Sequence, residues 1–230
     1  PLLFVLLVLP AWFRIAAIVG ATNPPRADAR GLLSDAELPV YSVLIPLRDE
    51  AHMVPQLVRA MQRLDYPAEK LDIKFIVEDA SPRTIAAVEQ EIAGTLFELV
   101  TVPRAQPATK PKALDYTLPL ARGEFIVIYD AEDKPEPDQL RRTATRFSQA
   151  PDIACIQDEL VPENAGENAL TALFASEYGG QFGIMLPGLV QWGFPMPLGG
   201  TSNHFHTAIL RRVGGWDAFN VTEDADLGLR

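Results

Sequence analysis

Residues 125–137 read FIVIYDAEDKPEP: four apolar residues and a tyrosine, then three carboxylates within four positions, then two prolines. A short apolar, partly β-branched run bounded by turn residues reads as a strand. Three carboxylates crowded at its end are costly unless something neutralises them. The same sequence of events occurs upstream, in YSVLIPLRDE at 41–50 and in IKFIVEDAS at 73–81. Working outward, strands are predicted at 41–46, 73–77, 97–102, 125–129 and 153–157, and helices at 51–64, 82–93, 112–121 and 137–148. Pro82 and Pro137 suit the first turn of a helix, where a missing N–H costs nothing. Strands alternating with helices predict an α/β fold with a doubly wound, mostly parallel sheet. In such sheets ligands bind in a crevice at the carboxyl ends of the strands.

The polar residues gather at those ends: Arg48, Asp49 and Glu50, then Glu78, Asp79 and Ser81, then Asp130, Glu132 and Asp133. The last three admit two readings. Mg²⁺ or Mn²⁺ takes oxygen ligands, commonly one or two carboxylates plus substrate phosphates; alternatively the acids border a solvated turn and cap the next helix. Asp79 ends its strand where a carboxylate reaches a base or ribose, or merely closes a capped turn. Lys110 and Lys112 open a helix, a place for meeting phosphate or for solvated surface.

Further on, an apolar helical stretch runs over 169–185, and a Gly-, Pro- and aromatic-rich segment over 187–200. In VTEDADL, Thr222 is expected to cap a helix opened by Glu223 and Asp224, either an ordinary acidic start or the position of a general base. His204 and His206 share one face of a short strand, but no third metal ligand accompanies them. Trp192 and Trp216 could stack on sugars or fill the core.

The 230 residues carry 20 Lys plus Arg against 30 Asp plus Glu, a net charge of −10, which argues against nucleic acid as a partner. A divalent cation held by carboxylates can still bring a diphosphate to an acidic protein. The single cysteine, Cys155, excludes an internal disulfide and a cysteine-built zinc site. Residues 1–20, PLLFVLLVLPAWFRIAAIVG, hold one charge, Arg14, and match the length of a bilayer core. They predict part of a transmembrane segment, with residues 21–39 as a linker and a domain from 40 to 230. A start without Met predicts a chain cut within that segment.

Taken in order, YSVLIPLRDE, VEDAS, TKPKALDY, YDAEDKPEP, GGTSNHFHTAILRRVGGWD and TED resemble the family 2 glycosyltransferases, in particular the membrane-anchored branch related to cellulose and hyaluronan synthases. The resemblance implies a GT-A type fold that binds a nucleotide-diphospho-sugar, a divalent metal on the diphosphate, and inverting transfer to a glycan or lipid-linked acceptor in cell-surface polysaccharide synthesis. It implies that Asp79 meets the base or ribose, that Lys110 lies near the donor, and that Asp130 with Glu132 or Asp133 holds the metal. Asp224 would be the general base, with Gly199, Gly200, Thr201, Ser202 and Glu223 on the acceptor side. Asp115 stands where the family usually has Asn. The QxxRW motif of the synthase branch is absent, which predicts a catalytic domain truncated at its C-terminal end. Membrane attachment with the domain facing the cytoplasm follows from the same resemblance. A silent module of the same fold and a nucleotidyltransferase are the competing readings; the latter would want a Gly-rich basic loop where this chain has LRDEAH.

Overall fold

The computed structural model describes residues 2–21 and 31–230, and within the first helix the side chains of residues 8, 9 and 11–21. Six strands are found among the described residues: β1 (Tyr41–Leu47), β2 (Leu71–Glu78), β3 (Glu98–Val102), β4 (Phe125–Ile128), β5 (Cys155–Gln157) and β6 (Asn203–His206). They form one sheet in the order β3-β2-β1-β4-β6-β5. β1 to β4 are mutually parallel where they pair, as the alternation of strands and helices predicts. β6 runs antiparallel to both β4 and β5, with Ile128 opposite Asn203 and Gln157 opposite Asn203 on the other side.

Helices cover both faces. α2 (Val54–Met61), α3 (Pro82–Glu91) and α5 (Gln139–Gln149) lie on one. Their Leu57, Val88 and Phe147 meet Val43, Ile45, Phe75 and Val127 in a buried cluster. The opposite face carries α4 (Lys110–Thr117), α8 (Thr207–Val213) and α9 (Glu223–Leu229), whose Leu114, Leu210 and Leu227 cover Leu44, Ile76, Ile126 and Ile128. Removing each such side chain from water stabilises the fold by roughly 1.5–3 kcal/mol. Because successive strand residues alternate between faces, odd-numbered positions of β1, β2 and β4 point to the first layer and even-numbered ones to the α4 layer. That parity decides which strand-end acids can meet across the cleft.

Several boundaries differ from the sequence-based expectation, among them α2, expected over 51–64 and found at Val54–Met61, and β5, expected over 153–157 and found at Cys155–Gln157. Helix α4 begins two residues early, at Lys110, and closes in a 3-10 turn, Leu118–Leu120, rather than running to residue 121. Helix α5 starts at Gln139, with Pro137 outside it, because the Pro137 carbonyl is engaged by the Asp65 N–H at 2.7 Å. Residues 31–39, expected as linker, are docked on the domain. Arg141 donates to Leu33 O and to the Asp35 carboxylate, while Lys70 donates to the carbonyls of Asp35, Ala36 and Leu38. Most of the expected linker, residues 22–30, lies outside the described residues.

The apolar N-terminal run forms α1 (Leu2–Ala21). It lies along α7 (Leu186–Gln191), which follows α6 (Ala169–Gly180) through a π-turn, Gln181–Met185. Contact is close: a Cβ on Gly188 would stand 2.4 Å from Ala17 O, the Trp192 indole donates to Ala16 O, and Phe13 meets Phe194 edge-on. Among the described residues no helix is long and apolar enough to cross a membrane.

Candidate active site

A cleft of about 340 Å³ opens at the carboxyl ends of β1, β2 and β4. Its walls come from Pro46 to Arg48 and Glu50 after β1, Glu78 at the end of β2, Ala108 to Lys110 at the head of α4, and Asp130 to Glu132 after β4. The left-handed backbone at Asp49, φ +56°, turns the chain sharply out of β1, and its carboxylate accepts a 2.8 Å hydrogen bond from Ser81 that ties this loop to the one after β2. Arg48 reaches across to donate to Ala108 O at 3.1 Å.

Strand parity sorts the acids. Asp130 and Glu132 line the cleft on the α4 side, and Lys110 Nζ meets Asp130 Oδ1 at 2.5 Å while also donating to Gly200 O. Asp133 turns away, accepting from the Asp130 backbone N–H at 2.7 Å and from the Thr201 hydroxyl. Burial raises the Asp133 pKa above the ordinary aspartate value, against the opposing pull of those two hydrogen bonds. Of the three acids considered for metal, two therefore face the cleft and the third braces the loop at 199–202. Among the described residues no three His, Cys, Asp or Glu side chains gather into a ready cation cage. Two cleft carboxylates with hard oxygen donors still suit Mg²⁺ or Mn²⁺, which ordinarily completes its shell with substrate phosphates and water.

Asp79, expected to meet a base or ribose, is exposed and outside the cleft walls. Glu78, its neighbour, lines the cleft: it shares parity with Ile76 and so faces α4, where Lys112 pairs with it at 2.5 Å. Sequence reasoning grouped Glu78 with the strand-end acids without singling it out; counting parity from the buried Ile76 is the signal that finds it.

On the other side, Gly200 stands beside Asp224 at the start of α9: a Cβ there would lie 3.6 Å from Asp224 Oδ2. Burial pushes the Asp224 carboxyl up to about 6, while the nearby Lys110 charge pulls it down and Glu223 and Asp130 push it further up. The structure thus brings Lys110, Asp130, Gly200 and Asp224 together. Thr201 and Ser202 are buried, with Ser202 left-handed at φ +54°, so they shape the loop and present little surface of their own.

Of the remaining candidates, three are built into the interior and Trp192 is exposed. His204 is fully buried with Nδ1 2.7 Å from the Tyr41 hydroxyl, and His206 packs against the stacked pair Phe125 and Phe147. Trp216 is buried edge-on to Phe205, whereas Trp192 lies against α1, outside the cleft walls.

Comparison with known proteins bears on the fold and the family. Among solved structures, the mannosyltransferase PcManGT from Pyrobaculum calidifontis, in complex with GDP-Man and Mn²⁺, superposes with a TM-score of 0.68 over 96% of this chain and 61% of its own, at 17% identity. That likeness fixes the fold as GT-A. Among curated proteins, the β-monoglucosyldiacylglycerol synthase of Trichormus variabilis is 27% identical over 195 residues, 84% of this chain and 41% of the synthase. The probable glucomannan 4-β-mannosyltransferase 7 of Oryza sativa is 25% identical over 248 residues, 98% of this chain and 42% of that enzyme. This chain therefore spans less than half the length of either relative. The sequence model described as "Glycosyltransferase like family 2" matches residues 39–230, from the strand that opens the sheet to the helix that carries Asp224. A match of that extent makes this chain a member of glycosyltransferase family 2.

Proposed function

We propose that this chain is the catalytic domain of a metal-dependent, inverting glycosyltransferase that moves a sugar from a nucleotide-diphospho-sugar to a hydroxyl of a glycan or lipid-linked acceptor. The observation that carries the proposal is the juxtaposition of Asp224, raised to about 6, with Lys110 and Asp130 through Gly200, whose carbonyl accepts from Lys110 and whose Cα stands beside the Asp224 carboxylate. A carboxylate with a pKa near the working pH is suited to take a proton from an attacking hydroxyl. Lys110 supplies positive charge on the side where a diphosphate would leave. Asp130 and Glu132 would hold the divalent cation, which when bound supplies Lewis acidity to the leaving diphosphate. A base and leaving-group partners drawn together around Gly200, with no nucleophile called for, fit a single displacement, and a single displacement inverts the anomeric centre.

The names of the relatives support both acceptor classes, since one carries diacylglycerol and the other glucomannan. The apolar surface supports work against a membrane, and the proposal places the cleft on its cytoplasmic side. α6 buries none of its twelve residues, and Leu170, Leu173 and Phe174 on it are exposed together with Trp12, Ile15 and Ile18 on α1. Exposed apolar surface on this scale marks an interaction site.

Incubation with UDP-glucose or GDP-mannose, Mn²⁺ and diacylglycerol vesicles or mannan oligosaccharides tests the reading. The expected product has the opposite anomeric configuration to the donor by NMR; a retained configuration overturns the single-displacement mechanism.

A further inference from the structure

Helix α4 touches both sides of the cleft. At its head Lys110 meets Asp130, and one and a half turns later Asp115 accepts the backbone N–H of Trp216 at 2.9 Å. The turn that delivers Trp216 is left-handed at both Gly214 and Gly215, φ +93° and +68°, and a Cβ on Gly215 would stand 2.3 Å from Asp115 Oδ1. The carboxylate is thus pressed against a turn that needs glycine twice over, once for conformation and once for space. A second tie runs beside it, from the Thr109 hydroxyl to Ala218 O at 3.0 Å.

The same turn holds α9. Arg230, at the end of that helix, donates to Gly215 O at 2.9 Å and to Val213 O at 3.2 Å. Gly228 lies flat on the segment before β6, where a Cβ would come within 2.3 Å of Met196 O. The Trp216 indole N–H is buried without a well-formed hydrogen bond of its own, and it lies close enough to Asp224 to favour that group's charged form.

We infer that Asp115 is a positioning residue: by gripping the Gly214–Trp216 turn it fixes α9, and with it Asp224, at a set distance from Lys110 and Asp130. The inference rests on Asp224 being the base proposed above. Lys110 and Asp115 are about 7.5 Å apart along one helix axis, so the donor side and the acceptor side are referenced to one rigid body. Errors of about 1 Å in such a reference cost up to roughly 10²-fold in rate.

The test uses the full chain with Mn²⁺, UDP-glucose or GDP-mannose, and diacylglycerol vesicles or mannan oligosaccharides as acceptor, measuring donor affinity, the acceptor-dependent rate of nucleotide release and hydrogen exchange over residues 214–230. Asp115→Ala is expected to lower kcat roughly 10- to 100-fold, to leave donor Kd within about threefold, and to speed exchange over 214–230. Asp115→Asn keeps the Oδ1 acceptor and should match the native protein in all three readouts. Should Asp115→Ala not fold, Asp115→Glu retains an acceptor but pushes the turn outward, and should lose kcat with donor Kd held.

Native kcat in the folded Ala or Glu variant, loss of donor affinity in step with kcat, or failure of Asn to rescue overturns the inference. Asp224→Asn, run alongside, separates the two possible failures. Native turnover in that variant overturns the base and its positioning residue together. Lost turnover there with an unaffected Asp115→Ala overturns the positioning role alone.

Discussion

As the proposed base, Asp224 must be an anion to accept a proton, yet its surroundings favour the neutral acid and push its pKa up to about 6. Turnover at saturating donor should therefore fall as pH drops through about 6, since protonation removes the base. Lys110 is the nearby charge that favours the anion, so Lys110→Met should move this acid limb to higher pH, besides weakening donor binding; an unmoved limb assigns the titration to another group. The stability consequence has the opposite sign to the usual carboxylate. A folded pKa raised above the unfolded value contributes stability below the unfolded value, near 3.8, and loses it as pH rises through about 6. Asp224→Asn should thus lower kcat by about 10²- to 10⁴-fold, yet stabilise the metal-free protein at pH 8 by up to about 3 kcal/mol. Thermal melts at pH 4 and pH 8 check this, with the gain confined to the higher pH.

A strand two residues wide in period makes neighbouring acids into different groups. Glu78 faces Lys112 and the cleft, and Asp79 faces solvent. Glu78→Gln should weaken donor binding several-fold by calorimetry, while Asp79→Asn leaves it unchanged; the reverse result returns the role to Asp79. Helix α7 offers a second test at this scale. Gly188→Val inserts carbon where Ala17 O already stands, so it should part α7 from α1 and lower stability by about 1–3 kcal/mol. Donor affinity should stay at the native level, because neither helix lines the cleft.

Legibility in the sequence follows the same lines. The first four strands are readable because each is an apolar run ended by polar residues, and the four acids Asp130, Glu132, Asp133 and Asp224 stand out by their placement at element ends. Asn203–His206 is a four-residue, polar-looking strand whose antiparallel sense depends on a partner far away in sequence, so nothing local announces its direction. The docking of residues 31–39 depends on Arg141 and Lys70, which read as ordinary surface charges.

With a net charge of −10 and a cleft walled by Glu50, Glu78, Asp130 and Glu132, the protein is expected to repel a nucleotide diphosphate unless a cation intervenes. Chelator should weaken binding of UDP-glucose or GDP-mannose at least tenfold, and Asp130→Ala should remove the difference between chelator and Mn²⁺. Equal affinity with and without the ion would assign the donor's charge to Lys110 and Arg48 alone.

The antiparallel β6 seam has one further consequence. Because β6 enters the sheet against the direction of β4, the 199–202 loop arrives at the cleft from the far half of the chain, and within the sheet the two halves meet along two short ladders, where β6 lies between β4 and β5. Such a seam is a natural crossover point for gene shuffling. A hybrid that keeps residues 31–157 and takes its remainder from a relative should inherit its sugar from the first parent and its acceptor from the second.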